Sequence, residues 1–334
     1  PNDFHSVPSI LRATTRHPLL LVAVSPPDRH GVVSMGTAAD YVAALLGEVP
    51  VVAQVNPSMP RTFGRHQFHL ADALGWCEAD TPLETVDPAE PTEVDRAIAA
   101  LVAERVPDGA VLQVGIGAVP DAVAAMLTDH RDLGIHTELL GDGLRLLMEA
   151  GAATGLAKDH ERGKAITTTV LGSAALYDFV DDNPDVELWP VDLTNDPRMI
   201  ARHRRMTAIN ASMQVDLLGQ CASESLGTHY VSSTGGQSDY MRGAVLAEDG
   251  QNFMVLHATA NTPDGPVSRI VPTLTPGAMV TTDKNTIDKV VTEYGVAELR
   301  GASAHQRAVR LIAIAHPRFR DELRRQATED GLLH

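Results

Sequence analysis

Residues 110–127, AVLQVGIGAVPDAVAAML, are the stretch of this 334-residue sequence that decides the fold. The apolar run 110–114 has the length of a buried strand, residues 115–117 predict a tight turn, and residues 120–127 predict a helix with proline in its first turn. Glycines in such a turn let the backbone approach a ligand, and the helix directs N–H groups to the same place, which suits an anion or a developing oxyanion. The alternative is a tight strand-to-helix turn that binds nothing.

The alternation of strand and helix recurs along the chain. Further strands are predicted at residues 19–24, 50–55, 135–140, 165–171, 186–190, 254–258 and 279–282. Further helices are predicted at residues 38–46, 93–105, 144–149, 284–294 and 304–315. Several strands are continuously apolar, as in parallel sheets covered on both faces. The pattern predicts an α/β fold with open, mostly parallel sheets, whose ligands lie beyond the carboxyl ends of the strands.

One segment differs in composition from the regions on either side of it. Residues 80–93, DTPLETVDPAEPTE, contain three prolines and five acidic residues. A loop of this kind between two regions of αβ character predicts a domain boundary. We therefore expect residues 1–85 to belong to a first domain and residues 86–334 to a second.

Composition limits the class of protein. The chain has 27 Lys and Arg against 43 Asp and Glu, a net charge of −16, which argues against nucleic acid as a partner. A phosphorylated cofactor needs only a few local donors and stays possible. No apolar run reaches the roughly 18 residues of a membrane span, and the start has no signal-peptide pattern. Two cysteines, Cys77 and Cys221, fit a reducing compartment, so the expected location is cytoplasmic.

Residues 136–143, HTELLGDG, place Glu138 in or at the end of an otherwise apolar strand. A carboxylate in such surroundings costs free energy unless it is paired or functional. It can then act as a nucleophile or as a base with a raised pKa. The alternative is an edge position from which Glu138 points into water.

A second glycine loop lies at residues 233–244, STGGQSDYMRGA. Its paired glycines can direct backbone N–H groups into a site, beside the polar side chains Gln237, Asp239 and Arg242. Two loops after predicted strands, residues 28–36 and 54–62, are weaker candidates that could be plain connectors. No CxxC, HExxH or G-x-S-x-G pattern occurs, so we predict neither a metal site nor a serine nucleophile.

Together these motifs closely resemble the acetyl-CoA hydrolase/transferase family, in particular its 4-hydroxybutyrate CoA-transferase branch, which has the family I CoA-transferase fold. The resemblance covers about residues 25–320. The segments that carry it in order are SPPDRHGVVSMG (25–36), VVAQVNPSMPRTFG (51–64), QVGIGAVPDAV (113–123), HTELLGDG (136–143), STGGQSDYMRGA (233–244) and VTEYGVAELRGASAHQRAVRLIAIAHPRFR (291–320).

The resemblance implies two open α/β domains with the active site in the cleft between them. Family chains usually begin well before the position that matches Pro1, so we expect the first domain to lack its N-terminal portion. Glu138 is then the covalent nucleophile; Glu224 is a rival and Gln214 at most assists, because neither follows the GIG loop at the family's spacing. The implied oxyanion and CoA contacts are Gly115, Ile116, Gly117, Ala118, Val119, Gly235, Gly236 and Gln237. The implied substrate contacts are Gln54, Asn56, Met59 and Arg61.

The implied activity is transfer of coenzyme A from a short-chain acyl-CoA to a carboxylate, by a ping-pong mechanism through a glutamyl-CoA thioester. The acyl groups implied are of acetyl, butyryl or 4-hydroxybutyryl type. Acyl-CoA and a short carboxylate are the expected partners, and the resemblance suggests a homodimer. Two alternatives stay open: an acyl-CoA hydrolase that uses the same glutamate, and a non-catalytic CoA-binding protein.

Overall fold

Strands and helices alternate along most of the chain in the computed structural model, which describes residues 1–115 and 117–333. The helices are α1 (Val7–Thr14), α2 (Asp40–Ala43), α3 (Glu93–Ala103), α4 (Ala118–Met126), α5 (Asp142–Glu149), α6 (Ala174–Val180), α7 (Val191–Thr194), α8 (Pro197–Ile200), α9 (Gln237–Leu246), α10 (Ala304–Ile314) and α11 (Arg320–Glu329). Short 3-10 helices are formed by Phe4–Ser6, Leu70–Asp72 and Pro317–Phe319.

The strands belong to one large sheet and several small ones. They are β1 (Leu20–Val24), β2 (Val32–Ser34), β3 (Val51–Val55), β4 (Phe63–Gly64), β5 (Gln67–His69), β6 (Gly75–Glu78), β7 (Val111–Val114), β8 (Gly134–Ile135), β9 (Leu139–Leu140), β10 (Ala165–Thr167), β11 (Thr169–Val170), β12 (Val186–Leu188), β13 (Met206–Ala211), β14 (Gln214–Asp216), β15 (Cys221–Ala222), β16 (Ser225–Leu226), β17 (His229–Tyr230), β18 (Gln251–Val255), β19 (Thr259–Thr262), β20 (Gly265–Ser268), β21 (Ile270–Val271), β22 (Lys289–Thr292) and β23 (Gly295–Glu298).

The large sheet has six strands in the order β23-β22-β18-β13-β7-β8. All neighbours in it are parallel except β22 and β23. Both faces are covered: on β13, Ala208 packs in one hydrophobic cluster and Ile209 in the other. These features confirm the predicted mostly parallel α/β fold, since parallel sheets are buried on both sides.

Three smaller parallel sheets lie beside the large one. They have the orders β1-β3-β6, β10-β12-β4 and β9-β11. An isolated parallel bridge between His136 and Ile166 connects the end of β8 to β10. The chain therefore passes from the large sheet to the β9-β11 sheet within a few residues, and Glu138 lies in that passage.

Two predicted strands are interrupted, one of them at Glu138. The run 135–140 forms β8 and β9, and residues 136–138 between them are outside any regular strand. The run 165–171 forms β10 and β11, with the break at Thr168. The prediction of one strand over residues 135–140, with Glu138 in it or at its end, is therefore wrong: Glu138 lies in a gap between two short strands, and the residues that flank it pair with different strands.

Other local predictions were also wrong. Residues 284–294, predicted as a helix, contain β22, which pairs with β23 through a tight turn at Glu293 and Tyr294. The β-branched residues Val290, Val291 and Thr292 favour this hairpin. Residues 38–46 contain a single helical turn, α2, and residues 279–282 have an isolated bridge between Cys221 and Thr282 in place of a strand.

The proline-rich segment between β6 and α3 is extended and mostly exposed. Its hydrogen bonds to the rest of the chain include one from the Tyr177 hydroxyl to the Glu84 carbonyl at 2.7 Å and one from the Val86 N–H to the Gly172 carbonyl at 2.9 Å. One hydrophobic cluster includes residues from both sides of the segment. A domain boundary at residues 85 and 86 stays a prediction. Within the described residues, every helix is too short or too polar to cross a membrane.

Candidate active site

Glu138 has a firmly held backbone although it lies outside regular structure. Its carbonyl oxygen accepts hydrogen bonds from the Thr168 N–H at 3.1 Å, the Thr169 N–H at 3.0 Å and the Thr167 hydroxyl at 3.1 Å. Residues at the break between β10 and β11 thus donate hydrogen bonds to the backbone at the break between β8 and β9. This arrangement fixes the point from which the Glu138 side chain extends.

The Glu138 carboxylate is in contact with two other chain segments. Its Oε2 atom accepts a hydrogen bond of 2.6 Å from Nδ2 of Asn195, which is fully buried after α7. Gly236 lies so close that a Cβ atom there would overlap both Glu138 Oε2 and Asn195 Nδ2. The φ angle of Gly236 is −99°, which any residue can adopt, so glycine is needed here for the close approach alone.

Burial raises the pKa of Glu138 to about 7. The hydrogen bond from Asn195 lowers this pKa, and the nearby Asp239 carboxylate raises it further. The pKa of Asp239 is itself raised to about 6 by burial, an effect that His5 opposes through a 2.7 Å contact between its Nδ1 and Asp239 Oδ1. A carboxyl group with a pKa near neutrality is typical of catalytic sites.

The second glycine loop is anchored by the side chains that follow Gly236. Gln237 Nε2 donates to the Ser223 hydroxyl at 3.0 Å and to the Thr282 hydroxyl at 2.9 Å, and the Ser238 hydroxyl donates to the Thr281 carbonyl at 2.6 Å. These contacts hold the start of α9 against residues beside β15, to which Thr282 is joined by its bridge with Cys221. The structure therefore brings the predicted residues Glu138, Gly236 and Gln237 into one place.

The first glycine loop lines a cavity of about 150 Å³. Its walls include Gly115, Gly117 and Ala118, together with Leu139, which adjoins Glu138. The Gly115 N–H donates to the Ile209 carbonyl at 2.9 Å, so this donor serves the sheet. Ile116 lies outside the described residues, and Val119 is buried in the hydrophobic core. Contact of this loop with coenzyme A stays a prediction.

The four residues predicted to contact substrate are held by neighbours of their own. Arg61 pairs with Asp182 at 2.6 Å and with Asp28 at 3.2 Å, and Asn56 Nδ2 donates to the Thr81 carbonyl at 2.8 Å. Arg61 and Met59 line a cleft of about 520 Å³ whose walls include neither Glu138 nor the glycine loops. Gln54 Nε2 is 3.5 Å from the Thr81 hydroxyl. Their substrate role stays a prediction.

Within the described residues, neither rival of Glu138 hydrogen-bonds to Asn195, although Glu224 lies beside the anchor of the second glycine loop, where its N–H donates to the Thr281 hydroxyl at 3.2 Å. Gln214 Oε1 accepts from the Thr275 hydroxyl at 2.9 Å. Glu224 is buried, and its Oε2 atom has no hydrogen-bond partner within the described part of the chain. A buried carboxylate oxygen without a partner is unusual, but Glu224 lacks the glycine and amide contacts that Glu138 has.

Sequence reasoning missed the residues that stabilise the site from behind, namely Asn195, Thr194, His136, His203 and Tyr240. His136 and Tyr240 stand in the quoted segments 136–143 and 233–244, but no role was predicted for them. A polar residue in an apolar run, such as His136 two residues before Glu138, is a signal that could have found it. The other three stand in no pattern that predicts chemistry.

Two groups of side chains place potential metal ligands near one another. One is His136, Glu161 and His203, and the other is Asp3, His5 and Asp239. In the first group His136 Nδ1 and His203 Nε2 are 3.1 Å apart, a hydrogen-bond distance. In the second, the His5 ring contacts Asp239 directly at 2.7 Å. In each group two members contact each other directly, while Glu161 Oε2 lies 3.7 Å from His203 Nε2 and Asp3 pairs with Arg242. The expectation of no metal stays a prediction.

The α/β fold and the buried glutamate beside a glycine loop agree with the class of acyl-CoA enzymes that the sequence motifs resemble. The sequence profile described as "Acetyl-CoA hydrolase/transferase C-terminal domain" matches residues 172–327. The chain belongs to the acetyl-CoA hydrolase/transferase family.

Several relatives resemble the chain over nearly its whole length. The succinyl-CoA:cyclohexane-1-carboxylate CoA transferase of Geobacter metallireducens is 45% identical over 97% of this chain and 74% of its own. The 4-hydroxybutyrate coenzyme A transferase of Clostridium kluyveri is 43% identical over 97% of this chain and 75% of its own. The crystal structure of RipA from Yersinia pestis superposes with a TM-score of 0.94 at 36% identity, covering 100% of this chain and 75% of RipA.

Proposed function

We propose that the chain is an acyl-CoA:carboxylate CoA-transferase for short-chain acyl groups, with Glu138 as covalent nucleophile. The observation that carries the proposal is the Glu138 carboxylate itself, which is bound by Asn195 Nδ2 at 2.6 Å and enclosed by Gly236. A plain structural carboxylate has no need of a glycine placed so that nothing larger fits beside it. Relatives named as CoA-transferases support the same activity.

The reaction transfers coenzyme A from one carboxylate to another by way of the glutamate. A Glu138 oxygen attacks the thioester carbonyl of an acyl-CoA, the C–S bond breaks, and CoA leaves as a thiolate, which gives an acyl-glutamyl anhydride. The thiolate then attacks the glutamyl carbonyl and releases the free carboxylate, leaving a glutamyl-CoA thioester. An incoming carboxylate reverses these steps and departs as the new acyl-CoA, so that Glu138 is regenerated. Covalent catalysis divides one difficult exchange into easier ones.

Each attack creates an oxyanion, and backbone N–H groups of Gly235 and Gly236 are the donors we propose for it. One preorganised donor of this kind is typically worth about 3 kcal/mol. The raised pKa of Glu138, about 7, leaves roughly half of it ionised at neutral pH while the carboxylate stays poorly solvated and reactive. The side chain is thus a usable nucleophile without a separate base.

The finer assignments follow from the proposed reaction. Coenzyme A enters as part of the substrate, and the donor is an acetyl-, butyryl- or 4-hydroxybutyryl-type thioester. We propose a cytoplasmic homodimer that uses no metal and binds neither nucleic acid nor membrane. The division into domains at residues 85 and 86, with the active site between them, belongs to the same proposal.

The test is to trap the glutamyl thioester. The protein is incubated with acetyl-CoA and then with borohydride, which reduces a thioester but not a free carboxylate. Peptide mass spectrometry should find the Glu138 side chain converted to an alcohol. Glu224→Ala is the matched control and should still be trapped at Glu138, whereas Glu138→Ala should neither be trapped nor transfer CoA. An active preparation with an unmodified Glu138 peptide would refute the covalent mechanism.

The same assay separates the two alternatives. In a hydrolase, water takes the acyl group, so free CoA accumulates without an added carboxylate. In a transferase, a new acyl-CoA appears only when butyrate or another short carboxylate that differs from the acetyl group of the donor is supplied. A non-catalytic CoA-binding protein gives neither product.

A further inference from the structure

A chain of buried hydrogen bonds extends from the catalytic carboxylate to two histidines. Next to Glu138 is Asn195, whose amide orientation is set from its other side: Oδ1 accepts a hydrogen bond from the Thr194 hydroxyl at 3.0 Å. Because Oδ1 is an acceptor, Nδ2 is the group that faces Glu138. The position of Asn195 therefore depends on the position of Thr194.

Thr194 is held from two directions through its carbonyl oxygen. His136 Nε2 lies 2.8 Å from this oxygen, and the Tyr240 hydroxyl donates to it at 2.9 Å. His136 is 2% exposed and Tyr240 1% exposed, so both bonds are shielded from water. His136 comes from the Glu138 segment and Tyr240 from α9, which begins next to Gly236. The three segments that form the site thus meet at one carbonyl group.

The second histidine determines which nitrogen of His136 carries the proton. His136 Nε2 faces a carbonyl, so it must be the N–H donor, and Nδ1 of the neutral ring is then an acceptor. His203 Nε2 lies 3.1 Å from this Nδ1 and supplies the hydrogen. His203 Nδ1 is then a lone pair, in agreement with its lack of a partner within the described residues.

Burial, assisted by nearby cationic groups, keeps both rings neutral. Burial and the neighbouring Lys158 lower the pKa of His136 to about 3, against the opposing effect of its contact with Thr194. Burial also lowers the pKa of His203, assisted by His136, Lys158, His160 and Arg202. Glu161 Oε2 is 3.7 Å from His203 Nε2, too far for a hydrogen bond. The cationic neighbours equally disfavour a metal ion between the two histidines.

We infer that His136 is a positioning residue for catalysis: by donating to the Thr194 carbonyl in the tautomer that His203 imposes, it holds the Asn195 amide against Glu138. The inference rests on the proposed function, since it assigns how the nucleophile of that reaction is aligned. A displacement of about 1 Å at a reacting group can cost about 100-fold in rate. The effect belongs to kcat, because none of these residues is proposed to bind coenzyme A.

The test compares two substitutions at one position. Gln can place an amide N–H where His136 Nε2 lies, whereas Leu fills similar space without a donor. We expect His136→Leu to lower kcat by about 10- to 100-fold with little change in KM for acyl-CoA. The acid limb of the kcat profile should move to higher pH, because the Asn195 bond is one of the contacts that lower the pKa of Glu138. His136→Gln should keep most of the wild-type kcat and most of the wild-type pH profile. His130→Leu, which removes a histidine bound to the Val106 carbonyl elsewhere, is the control.

A readout without turnover keeps this test independent of the proposed reaction. ¹⁵N-histidine NMR should show two non-titrating rings, both protonated at Nε2, and His203→Phe should change the His136 signals. If Glu138 were not the nucleophile, these signals would remain and only the trapping experiment would fail. The inference is refuted if His136→Leu and His136→Gln are equally impaired at an unshifted pH profile. It is also refuted if the purified protein holds one equivalent of zinc that His203→Phe removes.

Discussion

The two glycine loops look alike in sequence, yet they meet the site in different ways. At Gly236 the surrounding atoms leave no space for a Cβ, and the atoms in the way are those of Glu138 and Asn195. At Gly115 a Cβ would make ordinary contacts of 3.4 Å with the Ile209 carbonyl and 3.5 Å with Asn210 Oδ1. Gly117 has free space but a φ of +127°. Both loops contain a glycine with a positive φ, Gly117 in the first and Gly235 at +59° in the second, but only the second has a glycine, Gly236, that is needed for proximity to the carboxylate.

This difference separates a loop that encloses the nucleophile from a loop that shapes a neighbouring cavity. An unfavourable φ angle lowers the free energy of unfolding by about 1–3 kcal/mol. Overlap with a reacting group instead changes the geometry on which the chemistry depends. Substitutions in the two loops should therefore affect different measurements.

The largest effect is expected from Gly236→Ala. The new methyl group would displace the Glu138 carboxylate or the Asn195 amide, and we expect turnover to fall by about 1,000-fold or more. Steady-state kinetics and the borohydride trap measure the loss. Gly75→Ala, at a glycine with open space around it in β6, is the control and should keep full activity. Near-normal turnover in Gly236→Ala would show that the loop does not enclose the nucleophile.

Glu138→Gln should reveal what it costs to bury this acid beside Gly236. The folded-state pKa is about 7 against 4.5 for the ordinary group, so ionisation penalises folding. The penalty is absent well below pH 4.5, grows as the unfolded chain ionises, and is complete above pH 7, where it amounts to about 3 kcal/mol. Denaturant unfolding of wild type and Glu138→Gln should therefore diverge between pH 5 and pH 8, with the variant more stable. Parallel pH dependences would contradict a raised pKa.

Gly117→Ala should act on stability and on the cavity rather than on Glu138. A φ of +127° is unfavourable for alanine, and we expect a loss of about 1–3 kcal/mol in the free energy of unfolding. Borohydride trapping at Glu138, expressed per folded protein molecule, should be unchanged. A loss of trapping at unchanged stability would place this loop in the same role as the Gly236 loop.

The smallest effect is expected from Gly115→Ala. Its backbone N–H is already bonded to Ile209, and the added methyl group has room, so stability should change by about 0.5 kcal/mol or less. If coenzyme A contacts this loop closely, the change appears as weaker CoA binding in calorimetry. Unchanged binding would remove Gly115 from the proposed contacts.

The sequence predicted what depends on local pattern. The strand at residues 110–114 and helices such as α3 and α10 follow from apolar periodicity and caps, and both glycine loops follow from composition. The central strand β13 was missed, because its buried Thr207 and Asn210 hide it among polar residues. Asn195 could not be found in this way either, since its role arises from a contact with a residue 57 positions away.

The breaks in the strands beside Glu138 have a mechanical consequence. Three hydrogen-bond donors to its carbonyl oxygen hold the main chain at Glu138 in place. In the proposed mechanism, the passage from carboxylate to anhydride to thioester then falls to rotations within the Glu138 side chain. The run of threonines at residues 167–169, which shows no pattern of its own in the sequence, supplies these three donors.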